Sequence, residues 1–179
     1  GVGAISSNAE MSKSGYYFSK FFKLGPFKDE REEYIRDKKQ IAFTNCLPGY
    51  NMSYRKEIFK RYCFDENLKG YSHGEDFDFC YPVSKEYNLL LSDTPKLIHK
   101  QSKLGRVKPE RNRNEILFYF DFFKNKLPKT PRNLLLYFWL NLGLILRPIM
   151  KLDFNMLKGV SAGYLRILGF LVKGRLGQE

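Results

Sequence analysis

Short apolar runs, bounded by glycine, proline or polar residues, recur through the first half of the chain. Val2–Ser6 lies between glycine and serine and predicts a buried strand of a parallel sheet. Residues 8–27 mix aromatic side chains with serine, glycine and proline, which predicts an irregular loop. Further strands are predicted at Ile41–Cys46, Leu89–Leu91 and Leu97–His99.

Two helices are predicted between these strands. Ser53 is a suitable N-cap for a helix over residues 54–62. Three carboxylates within Glu75–Asp78 follow a glycine and predict the start of a second helix, because the positive end of a helix dipole favours acidic side chains. Pro82 should kink or shorten that helix. Strands that alternate with helices predict an α/β fold for this half of the chain.

Longer apolar stretches follow residue 100 and have helical spacing. Residues 114–123 predict one helix, and Leu134–Leu146 is apolar apart from Asn141 and Gly143. As a helix the latter stretch is about 20 Å long, shorter than the ~30 Å hydrocarbon core of a bilayer. It therefore predicts an interfacial or re-entrant helix. A further amphipathic helix is predicted over residues 160–171.

Charge divides the chain into the same two parts. Residues 1–95 contain 14 basic and 14 acidic residues, so the remaining 17 basic and 5 acidic residues account for the whole formal charge of +12. A basic half predicts an anionic partner: a phospholipid surface, a phosphorylated substrate or nucleic acid. Nucleic acid is the least favoured of these, because the basic residues alternate with leucine and isoleucine rather than with stacking aromatic residues.

The three cysteines, Cys46, Cys63 and Cys80, contain no CxxC pair. This spacing favours reduced thiols in a cytosolic setting, each a small core residue, over a zinc site.

Two acidic clusters are candidates for chemistry. They are the sequences FDE at residues 64–66 and GED at residues 74–76. Neighbouring carboxylates raise each other's proton affinity, so one of them can take a proton from a hydroxyl near neutral pH. The alternative is that the second cluster only complements a helix dipole.

The order of four motifs is more specific. GYNMSYR, FDE, GEDFD and TPKLIH follow one another between residues 49 and 99. This order resembles the C-terminal half of the catalytic domain of family 2 glycosyltransferases, which are inverting enzymes with a Rossmann-like GT-A fold. The resemblance covers residues 1–105, and residues 106–179 are expected to form a basic, mostly α-helical, membrane-associated tail.

The resemblance also implies site residues. Asp76 matches the general base that deprotonates the acceptor hydroxyl, and Glu75 is expected to shape the acceptor pocket, whereas Asp78 supports the helix start. His99 matches a position that contacts the metal or the diphosphate, with a structural histidine as the alternative. The expected substrate-binding residues are Gly49, Asn51, Ser53, Arg55, Asp65 and Glu66.

A nucleotide-sugar donor, a glycan or lipid-linked acceptor and a divalent cation, Mg²⁺ or Mn²⁺, are the ligands that this family implies. Its metal-binding D-x-D motif should precede Val2, so the chain is expected to be a fragment that lacks the nucleotide-binding half. The expected location is the cytoplasmic face of the cell membrane, with peripheral or re-entrant association. Alternatives from other classes are a non-catalytic membrane-associated remnant or scaffold, a nucleic-acid-binding protein, and, for the tail, a soluble helical cap.

Overall fold

The computed structural model describes residues 1–4, 12–32, 41–66, 74–92, 98 and 108–173. Its described residues have a mixed α/β structure, which confirms the α/β class, and they form two compact units. The first unit contains residues 1–20, 28–66 and 74–98 of this described part, and the second contains residues 21–27 and 108–173. The predicted strand at Leu97–His99 lies outside the described residues except for Ile98.

A four-stranded sheet organises the first unit. Its strands are β1 (Val2–Ala4), β2 (Ile41–Thr44), β3 (Met52–Ser53) and β4 (Leu89–Ser92), in the order β2-β4-β1-β3. β1 and β4 are parallel, with Gly3 opposite Leu91, whereas β2 and β3 run antiparallel to their neighbours. The predicted strands at β1, β2 and β4 are confirmed, but the sheet is mixed because only the β1–β4 pair is parallel.

Two local predictions in this unit are wrong. Residues 8–27 were expected to form a loop, yet they contain helix α1 (Lys13–Phe22), and the Ser12 hydroxyl accepts a hydrogen bond from the Gly15 N–H at 3.1 Å. A serine hydroxyl in this position caps the first turn of a helix. Ser53 caps no helix, because it lies in β3 opposite Val2, and only a short 3₁₀ helix, Lys56–Lys60, follows it.

The predicted helix after Gly74 is confirmed as α2 (Glu75–Glu86), which continues past Pro82 for another turn. Its inner face buries Phe77, Phe79, Cys80 and Val83. The Phe79 ring stacks on Phe64 with centroids 4.2 Å apart. This packing fixes α2 against the segment that carries the FDE motif, and it leaves Glu75, at the start of the helix, exposed at the surface of the unit.

Three helices form most of the second unit: α3 (Lys108–Lys126), α4 (Pro131–Met150) and α5 (Phe154–Lys173). They contain the three helices that were predicted after residue 100. The α3 and α5 backbones approach closely at Gly159, where an added Cβ would lie 2.2 Å from the Pro109 carbonyl oxygen. Phe123 of α3 stacks on Tyr137 of α4 with centroids 4.3 Å apart.

Candidate active site

The GED motif, residues 74–76, forms the turn at which α2 begins. Gly74 adopts a left-handed conformation with φ of 85°, which a residue with a side chain adopts only with strain. Its carbonyl accepts the first helical hydrogen bond from the Asp78 N–H at 2.8 Å. Asp76 therefore lies in the first helical turn, and its Oδ1 accepts the Phe77 N–H at 2.9 Å. The sequence places a half-buried carboxylate at the positive end of a helix dipole.

Arg31 binds this carboxylate from a distant part of the chain. Its Nη1 donates a hydrogen bond to Asp76 Oδ2. Its Nε donates to Asp29 Oδ1 at 2.9 Å and to Asp29 Oδ2 at 3.1 Å, and its Nη2 donates to Asp29 Oδ2 at 2.6 Å. The side chains of Arg31, Asp29 and Asp76 are 16%, 17% and 22% exposed. One guanidinium thus bridges two carboxylates in a partly desolvated position, where charged hydrogen bonds are strong.

The turn that follows β2 forms the third side of this cluster. Arg31 Nη1 also donates to the Leu47 carbonyl at 3.1 Å, and the Gly49 N–H donates to Asp76 Oδ2 at 3.4 Å. The structure therefore brings together Gly49 and Asp76, two residues that the sequence motifs placed at one site. A Cβ at Gly49 would lie 3.5 Å from the Asp76 Cβ, which is an ordinary contact distance.

The charges of the cluster affect the guanidinium. Burial by itself lowers the pKa of Arg31, but the negative charges of Asp29 and Asp76 outweigh burial, so the pKa of Arg31 lies well above its usual value. Arg31 is consequently a permanent cation beside Asp76. Two carboxylates and one guanidinium give this three-residue cluster itself a net negative formal charge.

A pair of thiols lies beneath the site, around the peptide group of Leu47. The Leu47 N–H donates to Cys80 Sγ at 3.2 Å, and the Tyr54 hydroxyl contacts the same sulfur at 2.9 Å. Hydrogen bonding from the Cys46 thiol, together with these two contacts, lowers the pKa of Cys80, although burial acts in the opposite direction. Burial raises the pKa of Cys46. Cys46 and Cys80 are buried as predicted for core residues, whereas Cys63 is exposed, so the prediction is wrong for Cys63.

The other predicted site residues occupy different positions in the first unit. Glu75 is exposed beside Asp76, while Asp78 is only 3% exposed. The Asn51 carbonyl accepts the Ala4 N–H at 3.3 Å, which ties the turn to β1. Ser53 is an exposed residue of β3, Arg55 is an exposed residue at the start of the 3₁₀ helix, and Asp65 and Glu66 follow Phe64 at the surface. Their roles in substrate binding stay predictions.

Sequence reasoning missed Arg31 and Asp29. Both lie in the polar stretch of residues 28–39, whose charge pattern predicts a solvated helix or loop, with a mobile segment that binds the acceptor as the alternative. No local pattern distinguishes Arg31 from the other charges in this stretch. Only its contact with a residue 45 positions away identifies it.

The residues described do not fit a divalent cation. Within that part of the chain, no group of three or more histidine, cysteine, aspartate or glutamate side chains could hold a metal ion. At the site itself, Arg31 occupies the space between the carboxylates of Asp29 and Asp76. His99, the predicted metal contact, lies outside the described residues.

Searches of protein-family models, curated proteins and solved structures found no match to this chain.

Proposed function

We propose that the first unit is the acceptor-side half of an inverting family 2 glycosyltransferase with a GT-A fold, and that Asp76 is its general base. The observation that carries the proposal is the position of the Asp76 carboxylate. It lies in the first turn of α2, is partly accessible to solvent and contacts the Gly49 turn.

The hydrogen bonds of Asp76 suggest which oxygen reacts. Among the described residues, Oδ2 accepts bonds from Arg31 and Gly49, whereas Oδ1 accepts one bond, from the Phe77 N–H. We assign the proton-accepting role to Oδ1, because it retains more capacity for a new hydrogen bond. The acceptor hydroxyl gives its proton to Oδ1 while its oxygen attacks the anomeric carbon, and the nucleoside diphosphate leaves with the electron pair of the broken bond. No step is assigned to a metal ion.

The donor is a nucleotide sugar and the acceptor is a glycan or a lipid-linked glycan. Glu75, exposed next to the base, is proposed to contact the acceptor. The substrate-binding role extends to Gly49, Asn51, Ser53, Arg55, Asp65 and Glu66.

Substitution of the base tests this proposal. In the full-length protein, Asp76→Asn should lower kcat by about 10²–10⁴-fold, because asparagine keeps the size of the side chain but cannot accept the proton. The measurement is sugar transfer from a panel of labelled nucleotide sugars. Glu57→Gln is a matched control, since Glu57 is an exposed carboxylate of the same unit at the start of the 3₁₀ helix.

A near-normal kcat in Asp76→Asn would contradict the general-base role. A full-length protein that transfers no sugar from any donor would instead favour the alternative function, a non-catalytic membrane-associated remnant or scaffold. These two outcomes separate an error in the residue from an error in the function.

The proposed location is the cytoplasmic face of the cell membrane. One described helix, α4, is long and apolar enough to cross a membrane. The chain's basic half supports an anionic lipid surface as its partner. Both peripheral and re-entrant association agree with these observations.

A further inference from the structure

Helix α4 exposes an apolar stripe along its whole length. Leu135, Phe138, Leu142, Ile145 and Ile149 are 70%, 62%, 45%, 40% and 51% exposed, and they recur at intervals of three and four residues. This spacing puts them on one face of the helix. A continuous exposed apolar face of this kind marks an interaction surface rather than isolated surface residues.

The opposite face of α4 is occupied by its own unit. Leu140 and Leu144 are fully buried, and the Phe22 ring packs against Gly143 so closely that an added Cβ would lie 2.3 Å from the Phe22 Cγ. Only one side of α4 can therefore meet a new partner. A helix that crosses a bilayer as an isolated span would instead expose its whole circumference to lipid.

Helix α5 lies antiparallel beside α4. A short link, residues 151–153, joins the two helices. Near the middle of each helix, the Tyr164 hydroxyl of α5 donates a hydrogen bond to Asn141 Oδ1 of α4 at 2.7 Å. The contact is 9 residues from the end of α4 and 10 residues from the start of α5, so the helices remain side by side over this length. α5 also exposes Leu165, Leu168 and Val172.

This pairing makes a full span by α4 unfavourable. Asn141 lies near the middle of the 20-residue helix, so a spanning α4 would put Tyr164 at the centre of the bilayer. Arg166 would then lie about 3 Å and Lys158 about 9 Å from that centre along the α5 axis, at a rise of 1.5 Å per residue. Both charges would lie inside the ~15 Å half-thickness of the hydrocarbon core, where charged side chains are costly.

Basic residues surround the apolar stripe. Arg132 is exposed near the start of α4, Lys151 follows its end, and Lys158 is exposed on α5. Residues 108–173 contain 12 basic and 4 acidic residues. Such a surface complements anionic headgroups, which attract each basic side chain near a membrane.

We propose that the α4–α5 hairpin lies in the plane of one leaflet of an anionic phospholipid bilayer, and that the stripe Leu135, Phe138, Leu142, Ile145 and Ile149 inserts among the acyl chains. The partner is the lipid surface itself. In this arrangement the basic residues reach the headgroups, and Arg166 stays outside the hydrocarbon core. The proposal depends on the second unit alone and does not require that the first unit transfers sugar.

Depth measurements test the orientation. In the full chain carrying Cys63→Ser, nitroxide labels are attached to Leu135→Cys, Leu142→Cys or Ile149→Cys, and the protein is bound to vesicles of equal parts phosphatidylglycerol and phosphatidylcholine. An in-plane helix gives three equal, shallow depths. A spanning helix places the central label about 10 Å deeper than the other two, because seven residues separate neighbouring labels. That second result would overturn the proposal.

A matched pair of substitutions tests the surface. Phe138→Ser removes an exposed ring from the stripe and should weaken binding to these vesicles about tenfold. Phe43→Ser removes a ring of similar exposure, 70%, from β2 of the first unit and should leave binding unchanged. Binding should also weaken as salt rises. Equal effects of the two substitutions would refute the stripe as the inserted surface.

A second copy of the chain is the competing occupant of this face. If copies covered the stripe, the labels would be protected from a water-soluble relaxation agent without vesicles, and sedimentation would show a dimer. The proposal expects a monomer with accessible labels in the absence of lipid, so a dimer protected through the stripe would contradict it.

Discussion

The guanidinium of Arg31 donates a hydrogen bond to the carboxylate of Asp76, a residue 45 positions later in the chain. The same guanidinium holds Asp29 and the Leu47 carbonyl. Arg31 thus fixes the orientation of the Asp76 side chain and compensates its charge. An asparagine at position 76 would retain the size of the side chain but not this ion pair.

Loss of Arg31 should destabilise the first unit. Arg31→Gln leaves the carboxylates of Asp29 and Asp76 close together without their shared cation, which should cost about 3 kcal/mol of unfolding free energy. Urea unfolding followed by circular dichroism measures this loss. The double variant Arg31→Gln with Asp29→Asn should recover part of it, since one of the two unpaired charges is then gone.

Arg61→Gln provides the control for this prediction. Arg61 pairs with Glu86, but the two side chains are 57% and 45% exposed. Exposed ion pairs contribute little to stability, so this variant should unfold like the wild type. Equal losses for Arg31→Gln and Arg61→Gln would show that the Arg31 cluster behaves as an ordinary surface pair.

Tyr54 should make the chain sensitive to alkali. Burial, followed by the neighbouring Cys80, raises the pKa of Tyr54 above the usual value of 10. The stabilising effect is fully present below pH 10 and is lost as pH rises further, because the unfolded chain then releases a proton that the folded chain retains. Tyr54→Phe should therefore make the unfolding free energy fall less steeply with pH above 10.

Urea unfolding at several alkaline pH values measures that slope. Tyr17→Phe is the control, because the Tyr17 side chain is 66% exposed, and it should leave the slope unchanged. Burial also raises the pKa of Tyr164. The unfolding free energy of the Tyr54→Phe variant should therefore still fall somewhat with pH above 10, because other tyrosines such as Tyr164 contribute to the same slope. An unchanged slope in Tyr54→Phe would mean that its hydroxyl ionises as readily in the folded chain as in the unfolded one.

Two glycines of α5 should respond in opposite ways to alanine. At Gly159 a Cβ would lie 2.2 Å from the Pro109 carbonyl oxygen, so Gly159→Ala must separate α3 from α5 and should cost about 1–3 kcal/mol. At Gly169 nothing lies within 4 Å of the added atom. Gly169→Ala should stabilise the helix by about 0.5–1 kcal/mol through its higher helix propensity.

The fluorescence of Trp139, the single tryptophan of the chain, can follow the unfolding of both variants in the second unit. Destabilisation by both substitutions would point to an effect of alanine on the helix itself rather than to the close approach of the two backbones.

Thiol reactivity should separate the three cysteines. Cys63 is exposed and should react quickly with an aromatic disulfide reagent in the folded chain, whereas the buried Cys46 and Cys80 should react only after unfolding. Cys80 is the informative thiol, because its lowered pKa favours reaction while its burial prevents it. Counting the released chromophore with and without denaturant measures the difference. Rapid reaction of two thiols in the folded chain would show that burial does not protect Cys80.

The pattern of apolar residues was enough to predict most of the regular elements. β1, β2 and β4 each contain a run of apolar residues that is too short for a helix. Helices α3, α4 and α5 contain long stretches in which apolar residues recur with helical spacing. The start of α2 was also predictable, since a glycine followed by carboxylates is favourable where a helix dipole begins. These features depend on neighbours within a few positions of the chain, which is why the sequence alone determines them.

Contacts between residues far apart in the chain decided the features that the sequence did not predict. Ser53 has the chemistry of a helix cap, but pairing with β1 places it in a strand, and α1 forms although its sequence suggests a loop. At the candidate site, the motif identified Asp76, while Arg31 became visible only through the fold. The direction of each strand pair and the partner of each charge depend on which segments meet in space, because hydrogen bonds and ion pairs act over a few ångströms and not along the chain.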